Sequence, residues 1–190
     1  MSGALALTGD RRRFSLAEFA RMVKLGVLDE DERLELIDGE LVAMSPTGIG
    51  HANCLARLLR LLILGLGDRA LVWSQSTLAL RIGERDYAPM PDLAVLRPRL
   101  PARSYPDPLS ILLVAEVADT SQARDRAKLA LYGRAGIREG WLVDLKARVV
   151  LVHRSPGSAG YRRVQRISRG GTLTMETFPD VTLRVTELLP

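Results

Sequence analysis

The sequence predicts a mixed α/β or α+β fold, a mixed sheet with helices packed on it. Three observations carry that reading. Ile111–Val117 is an apolar run of buried-strand length, and after Asp119-Thr120-Ser121 it gives way to a helical pattern that stops at Gly136. Asp38-Gly39 stands between two short runs and is a strong two-residue hairpin signal. From Trp141 onward, short strand-like runs alternate with turn residues. We expect residues 1–190 to form a single domain, since this length suits one full core.

The elements follow in order. Ser15-Leu16-Ala17-Glu18 has capping-box spacing, and Leu16, Phe19, Ala20 and Val23 recur at helical spacing until Gly26. An acidic connector, Asp29 to Glu32, leads into the hairpin. With Asp38-Gly39 as its turn, Ile37 pairs with Glu40 and Glu35 with Val42, so Glu35 and Glu40 share a face. Ser45 to Gly50 is a loop, and Leu55, Leu58, Leu59 and Leu62 form a helix whose first turn holds His51 and whose end is marked by Gly65 and Gly67. Gly48-Ile49-Gly50 is not a phosphate motif, because Asn53 stands where a third glycine belongs and no Gly-Lys-Ser/Thr follows.

Leu71–Trp73 and Thr77–Ile82 read as strands, and Asp92 opens a buried strand, Leu93–Leu96. Pro98 to Pro108 is a proline-rich loop. After Gly136 come strands at Trp141–Asp144, Val149–His153 and Tyr161–Ile167. Leu173, Met175 and Val181–Val185 follow, with a short apolar tail.

Composition bounds the function. The net charge of +5 mildly favours an anionic partner such as nucleic acid. Cys54 is the only cysteine, which excludes an internal disulfide and a cysteine-rich zinc site and suits a reducing compartment. It falls in an apolar helical pattern and reads as a core thiol. The N-terminal stretch does not have the order of a signal peptide, and the Leu-rich run Leu55–Leu66 is too short to span a bilayer. We therefore expect a soluble cytoplasmic protein with no membrane partner.

The chemistry concentrates on carboxylates at strand ends. An acid in a buried strand, such as Glu116, is costly unless a cation or hydrogen bond satisfies it. If the strands of Asp92 and Glu116 are neighbours, their carboxylates converge on one hard cation, and Mg²⁺ is held by few carboxylate oxygens while keeping several waters. Such an ion activates water and stabilises charge on a phosphoryl group. A nearby lysine would neutralise the developing negative charge, and Lys128, on the helix that also carries Asp125, is the candidate. Only Lys24, Lys128 and Lys146 are lysines, so a compact ammonium at position 128 stands out in a chain that otherwise uses Arg. Without a metal, the same residues read as a turn cap, an arginine partner and a solvated helix lysine.

LELIDGELVAMSPTGIGH, Pro91-Asp92-Leu93-Ala94-Val95, LLVAEVADTS, Asp125 with Lys128, and YGRAGIREGWLVD occur in this order over roughly residues 33 to 144. In these segments the chain resembles the Uma-type restriction-endonuclease family of the PD-(D/E)xK nuclease superfamily. The resemblance implies a restriction-endonuclease-like core, a mixed β-sheet flanked by helices, with Mg²⁺ (or Mn²⁺) at the strand ends and DNA as substrate. It implies that Asp92 is the superfamily aspartate and Glu116 its second acid. The superfamily lysine lies two residues after that acid, where this chain has Ala118; Lys128 would have to supply the ammonium instead. An early acid would be a further metal ligand; of Glu40 and Glu35 we favour Glu40. His51 would help to bind metal or phosphate. Gly140 stands where the family commonly carries an aromatic residue, which bears on packing.

Two functions compete. One is a metal-dependent endonuclease hydrolysing phosphodiester bonds of DNA, expected as a homodimer, since two strands suit a two-fold pair of sites. The other is a nucleic-acid-binding or regulatory module on the same fold without turnover, which Ala118 makes reasonable. A Ser/His/Asp hydrolase is disfavoured because Ser45 and His51 have no nucleophile elbow, and a zinc hydrolase because His51 and His153 are the only histidines.

Overall fold

The computed structural model describes residues 12–29, 32–44, 48–100 and 104–189. The N-terminal stretch before Arg12, Ser45-Pro46-Thr47, and parts of the acidic connector and proline-rich loop lie outside those residues. The chain runs α1 (Leu16–Lys24), β1 (Leu34–Ile37), β2 (Glu40–Ala43), α2 (Ile49–Leu66), β3 (Leu71–Ser74), β4 (Leu80–Ile82), β5 (Arg85–Tyr87) and β6 (Leu93–Leu96). It continues through β7 (Ile111–Ala118), α3 (Gln122–Arg134), β8 (Glu139–Asp144), β9 (Val149–Gly157), β10 (Gly160–Ser168), β11 (Thr172–Thr174), β12 (Thr182–Arg184) and α4 (Val185–Leu188).

Six strands form the central sheet in the order β10-β9-β8-β7-β6-β3. Only β7 and β8 run parallel; the other neighbours are antiparallel. A parallel pair needs a crossover, and α3 is that crossover. β7 and β8 are buried along their whole length, which accounts for their near-continuous apolar sequence.

Each face of the sheet carries a long helix. Leu55, Leu58, Leu62 and Leu66 of α2 pack against Leu113, Ala115 and Val117 of β7 on one face. Leu129, Leu131 and Tyr132 of α3 pack against Val114, Ala118 and Leu142 on the other. Glu116 alternates with Val117 and therefore faces α3, together with Val114 and Ala118. The burial of Leu58 and Leu62 is complete, and truncating either to alanine would cost about 2–5 kcal/mol.

Local signals explain the element ends. Ser15 caps α1 in a reciprocal box with Glu18. Asp38 and Gly39 both have positive φ, 56° and 78°, as a type I′ hairpin turn requires. α3 starts at Ser121 without a side-chain cap; Ser121 Oγ instead donates to Asp125 Oδ2 at 2.5 Å. Gly133 of α3 lies against the β9–β10 turn so closely that a Cβ would meet Gly160 C at 2.6 Å and Tyr161 N at 2.7 Å. At Gly140 a Cβ would meet Leu129 Cδ1 at 2.4 Å and the Tyr161 hydroxyl at 3.1 Å, so the absent side chain leaves room for Tyr161.

Three expectations change. Thr77–Ile82 shortens to β4, which pairs with β5 as a separate two-stranded sheet rather than joining the main one. The apolar tail coils into α4, whose Val185 and Leu188 are buried. α2 begins at Ile49 and is 18 residues long, so Leu55–Leu66 is part of a longer helix whose length and composition alone would allow a span. Leu55, Leu58, Leu62 and Leu66 form its face buried on the sheet, while Ile63 and Leu64 are exposed, as are Arg57 and Arg60.

Candidate active site

The antiparallel register of β6 and β7 sets Leu93 opposite Ala115, which brings Asp92, one residue before β6, beside Glu116 and Val117. Asp92 N donates to Glu116 Oε2 at 3.3 Å, and Val117 N donates to Asp92 Oδ2 at 2.8 Å. His51, in the first turn of α2, places Nε2 2.9 Å from the same Oδ2. His51 Nδ1 is buried without a hydrogen-bond partner. Asp92 is buried, which pushes its pKa up, but the bonds from His51 and Val117 outweigh this and hold its carboxyl below the usual range. The same bond to Asp92 raises the His51 pKa.

α3 approaches from the opposite face. Arg124, Lys128 and Tyr132 recur every four residues and so share one stripe of the helix. Lys128 Nζ lies 2.9 Å from Glu116 Oε1 and 2.9 Å from Glu35 Oε1, and donates to the Met90 carbonyl at 2.8 Å. All three ammonium protons thus have acceptors. Tyr132 Oη donates to Glu116 Oε1 at 2.6 Å, and Arg124 Nη2 lies 2.7 Å from Glu35 Oε2. Burial lowers the Lys128 pKa, but Glu116 and Glu35 outweigh it and raise the net value. Burial pushes Glu116 up to about 7 despite Lys128.

Glu35 arrives on β1. The hairpin docks through backbone hydrogen bonds between Leu36 and Ala88, and Glu35 also accepts from Met90 N at 2.8 Å. Burial pushes its pKa up, and the Lys128 ammonium brings it below the ordinary value. Glu40, favoured from the sequence as the early acid, is not in this cluster. Pairing sets it opposite Ile37 beside the turn, half-buried, with Arg13 4.0 Å away. The shared face is correct, but Glu35 is the end of that face that points at Lys128.

Asp92, Glu116, Lys128, His51 and Asp125 line one cleft of about 530 Å³, with Asp119 and Ser121 at its loop side. Asp125 hydrogen-bonds Ser121 rather than either acid, and burial raises its pKa. A second groove of about 540 Å³, lined by Glu35, adjoins it and shares Arg124 and Lys128. Cys54 lies outside the cleft, buried, with burial pushing its thiol up to about 11, which suits a core role.

Among the described residues, no three His, Cys, Asp or Glu side chains form a ready-made metal cage. The donor set nonetheless fits a hard ion such as Mg²⁺, which needs one or two carboxylates and keeps its waters. Asp92 Oδ1 takes no hydrogen bond from the described residues, and Glu116 lies beside it. The set does not fit zinc, since among the described residues lining the cleft His51 is the only histidine and there is no cysteine.

Sequence reasoning missed Arg124, Tyr132 and the two backbone partners, Val117 N–H and Met90 C=O. The four-residue spacing of Arg124, Lys128 and Tyr132 was a usable signal for the side chains. The backbone partners leave no trace in residue types.

Residues 16–186 match the family described as Uma2, putative restriction endonuclease. A search of curated proteins finds no match. The fold is similar to the crystal structure of a putative nuclease from Anabaena variabilis, with a TM-score of 0.73 and 19% identity, covering 92% of this chain and 97% of that one. At that identity the likeness speaks for the fold, and the family match, spanning both helices of the cleft and every strand of the sheet, carries the assignment. The chain belongs to the Uma2 family of putative restriction endonucleases.

Proposed function

We propose that the cleft hydrolyses phosphodiester bonds of DNA with the help of Mg²⁺ or Mn²⁺. The observation that carries this reading is the Lys128 ammonium held between Glu35 and Glu116 while Asp92 stands beside Glu116. Asp92 and Glu116 would hold the ion, which when bound supplies a Lewis acid and a more acidic water. His51 fixes the Asp92 carboxylate through Oδ2, and Oδ1 takes no hydrogen bond from the described residues. Tyr132 fixes Glu116, and Glu35, itself held by Arg124, fixes Lys128. Lys128 then presents positive charge where a phosphate oxygen gains negative charge in the transition state. A strand-borne lysine at position 118 would share the Glu116 face; α3 covers that same face and delivers its ammonium from above.

The engagement of all three Lys128 protons favours a second reading, a module that binds nucleic acid without turnover. Incubation of the full chain with duplex DNA and, separately, RNA separates the two. The nuclease reading expects Mg²⁺- or Mn²⁺-dependent cleavage of DNA, abolished by EDTA. Binding without cleavage in either metal contradicts it. A homodimer, expected from two-strand cleavage, is checked by sedimentation.

A further inference from the structure

Residues 145–175 hold seven Lys and Arg and no Asp or Glu. This stretch therefore carries +7 inside a chain of net +5, and the remainder sums to −2. It comprises the β8–β9 turn, the β9–β10 ribbon and β11. One of the seven, Arg154, turns inward to Glu139 at 2.8 Å. Lys146, Arg148, Arg162, Arg163, Arg166 and Arg169 are exposed. Arg162 reaches the Pro156 carbonyl, and Lys146, Arg163, Arg166 and Arg169 have no carboxylate partner among the described residues.

The register relates this ribbon to the cleft. Ala118 pairs with Asp144, Asp144 with Val149, and Val149 with Ser168. These four residues form one row across β7, β8, β9 and β10. With strands about 4.8 Å apart, Ser168 lies roughly 14 Å from Ala118, and Ala118 is two residues from Glu116. Arg166 and Arg169 flank that row, and Lys146 stands in the turn between β8 and β9. From there β10 carries Arg163 away from the row by about 3.3 Å per residue. Arg166 shares a row with Leu151, Leu142 and Glu116, and alternation turns Arg163 to the other face, so the two straddle the free edge of this outer strand. A DNA strand, advancing about 3.4 Å of axis per nucleotide, would follow that edge for roughly five nucleotides.

We propose that the β9–β10 ribbon, with its Lys146 turn, grips the phosphate backbone of double-stranded DNA beside the cleft, through Lys146, Arg163, Arg166 and Arg169. This rests on the reading of the cleft as a DNA-cutting centre. The contacts are to phosphates, so they position the duplex and carry no sequence choice. A different role fits an outer strand in general: charged side chains keep it from pairing with another chain. β10 is such a strand, with Val164 54% exposed. The two roles differ in what neutralisation does.

The test is anisotropy of two unrelated labelled duplexes of about 20 base pairs, titrated with full-length protein in EDTA across a salt series. The triple variant Arg163→Ala/Arg166→Ala/Arg169→Ala is expected to weaken both duplexes alike, by at least about 30-fold. Its slope of log K against log salt is expected to fall by about 2 to 3. Arg166→Gln alone, a mild exposed change, is expected to lower that slope by about 1. Unchanged affinity and slope in both variants, self-association with DNA affinity intact, or no duplex binding by the wild type overturns the proposal. Because EDTA removes any need for turnover, a failure of the cleavage reading appears separately, as wild-type binding without metal-dependent cleavage.

Discussion

Lys128 Nζ and Glu35 Oε1 stand 2.9 Å apart, and this contact ties the hairpin to the crossover helix. The same ammonium is 2.9 Å from Glu116, so one cation satisfies two buried acids from two sheets. Removing it leaves uncompensated buried charge. Lys128→Met is expected to cost about 3–5 kcal/mol in urea denaturation and to lower cleavage by at least about 100-fold. Lys128→Arg is expected to restore little activity, because a planar fork does not converge on Glu35, Glu116 and Met90 O as a compact ammonium does. Full activity in Lys128→Arg would show that only charge matters there.

Glu35 and Glu40 share a face yet differ in role. Glu35→Gln is expected to lower the cleavage rate by about 10-fold or more by loosening Lys128. Glu40→Gln, beside the turn, is expected to change it by less than about 2-fold. Steady-state rates on one DNA substrate decide between them, and the reverse order would return the early-acid role to Glu40.

Glu116 links stability to pH. Its folded pKa of about 7 lies above its ordinary 4.5, so the native state keeps a proton that the unfolded chain has released. That contribution is complete below about pH 4.5 and is lost as pH rises toward 7. Glu35 and Asp92 have the opposite sign: their lowered pKa values give stability present above about pH 4, lost on further acidification. Between pH 5 and 8, wild type is therefore expected to lose stability relative to Glu116→Gln, by an amount on the order of 3 kcal/mol. Urea midpoints at about pH 5 and 8 measure this, and parallel pH profiles for the two proteins would contradict it.

Tyr132 donates to Glu116 from full burial. Tyr132→Phe is expected to cost about 1–2 kcal/mol and to move the pH midpoint of cleavage upward, since the carboxylate loses a donor that favours its charged form. A purely structural role would lower stability without moving that midpoint.

Gly133 fixes α3 against the β9–β10 turn, with backbone atoms of Gly160 and Tyr161 within 3 Å of any Cβ. Backbone cannot yield as a side-chain tip can. Gly133→Ala is expected to destabilise by about 1–3 kcal/mol, and Gly136→Ala, where nothing crowds the Cβ, to act only through its φ of 88°. Thermal melts of both variants compare them.

The sequence carried much of this arrangement. The hairpin turn was legible because Asp38-Gly39 suits positive φ at two successive residues. Asp92 and Glu116 were legible as strand-end acids, and the β6–β7 register sets them side by side. Alternation along the hairpin gave the right face for Glu35 and Glu40 but not which end docks, because docking depends on the Leu36–Ala88 backbone bonds. β4 and β5 are three residues each, too short to show a period. Tyr132 was visible as an apolar helix residue, but its hydroxyl meets Glu116 only once α3 lies on β7.

The most direct test is cleavage of one duplex in Mg²⁺ by wild type, Asp92→Ala and Lys128→Ala, purified alike and checked for native fold. Cleavage by wild type that EDTA abolishes, with both variants slowed by at least about 100-fold, is the expected result. Equal cleavage by all three would place the chemistry outside the cleft of Asp92, Glu116 and Lys128.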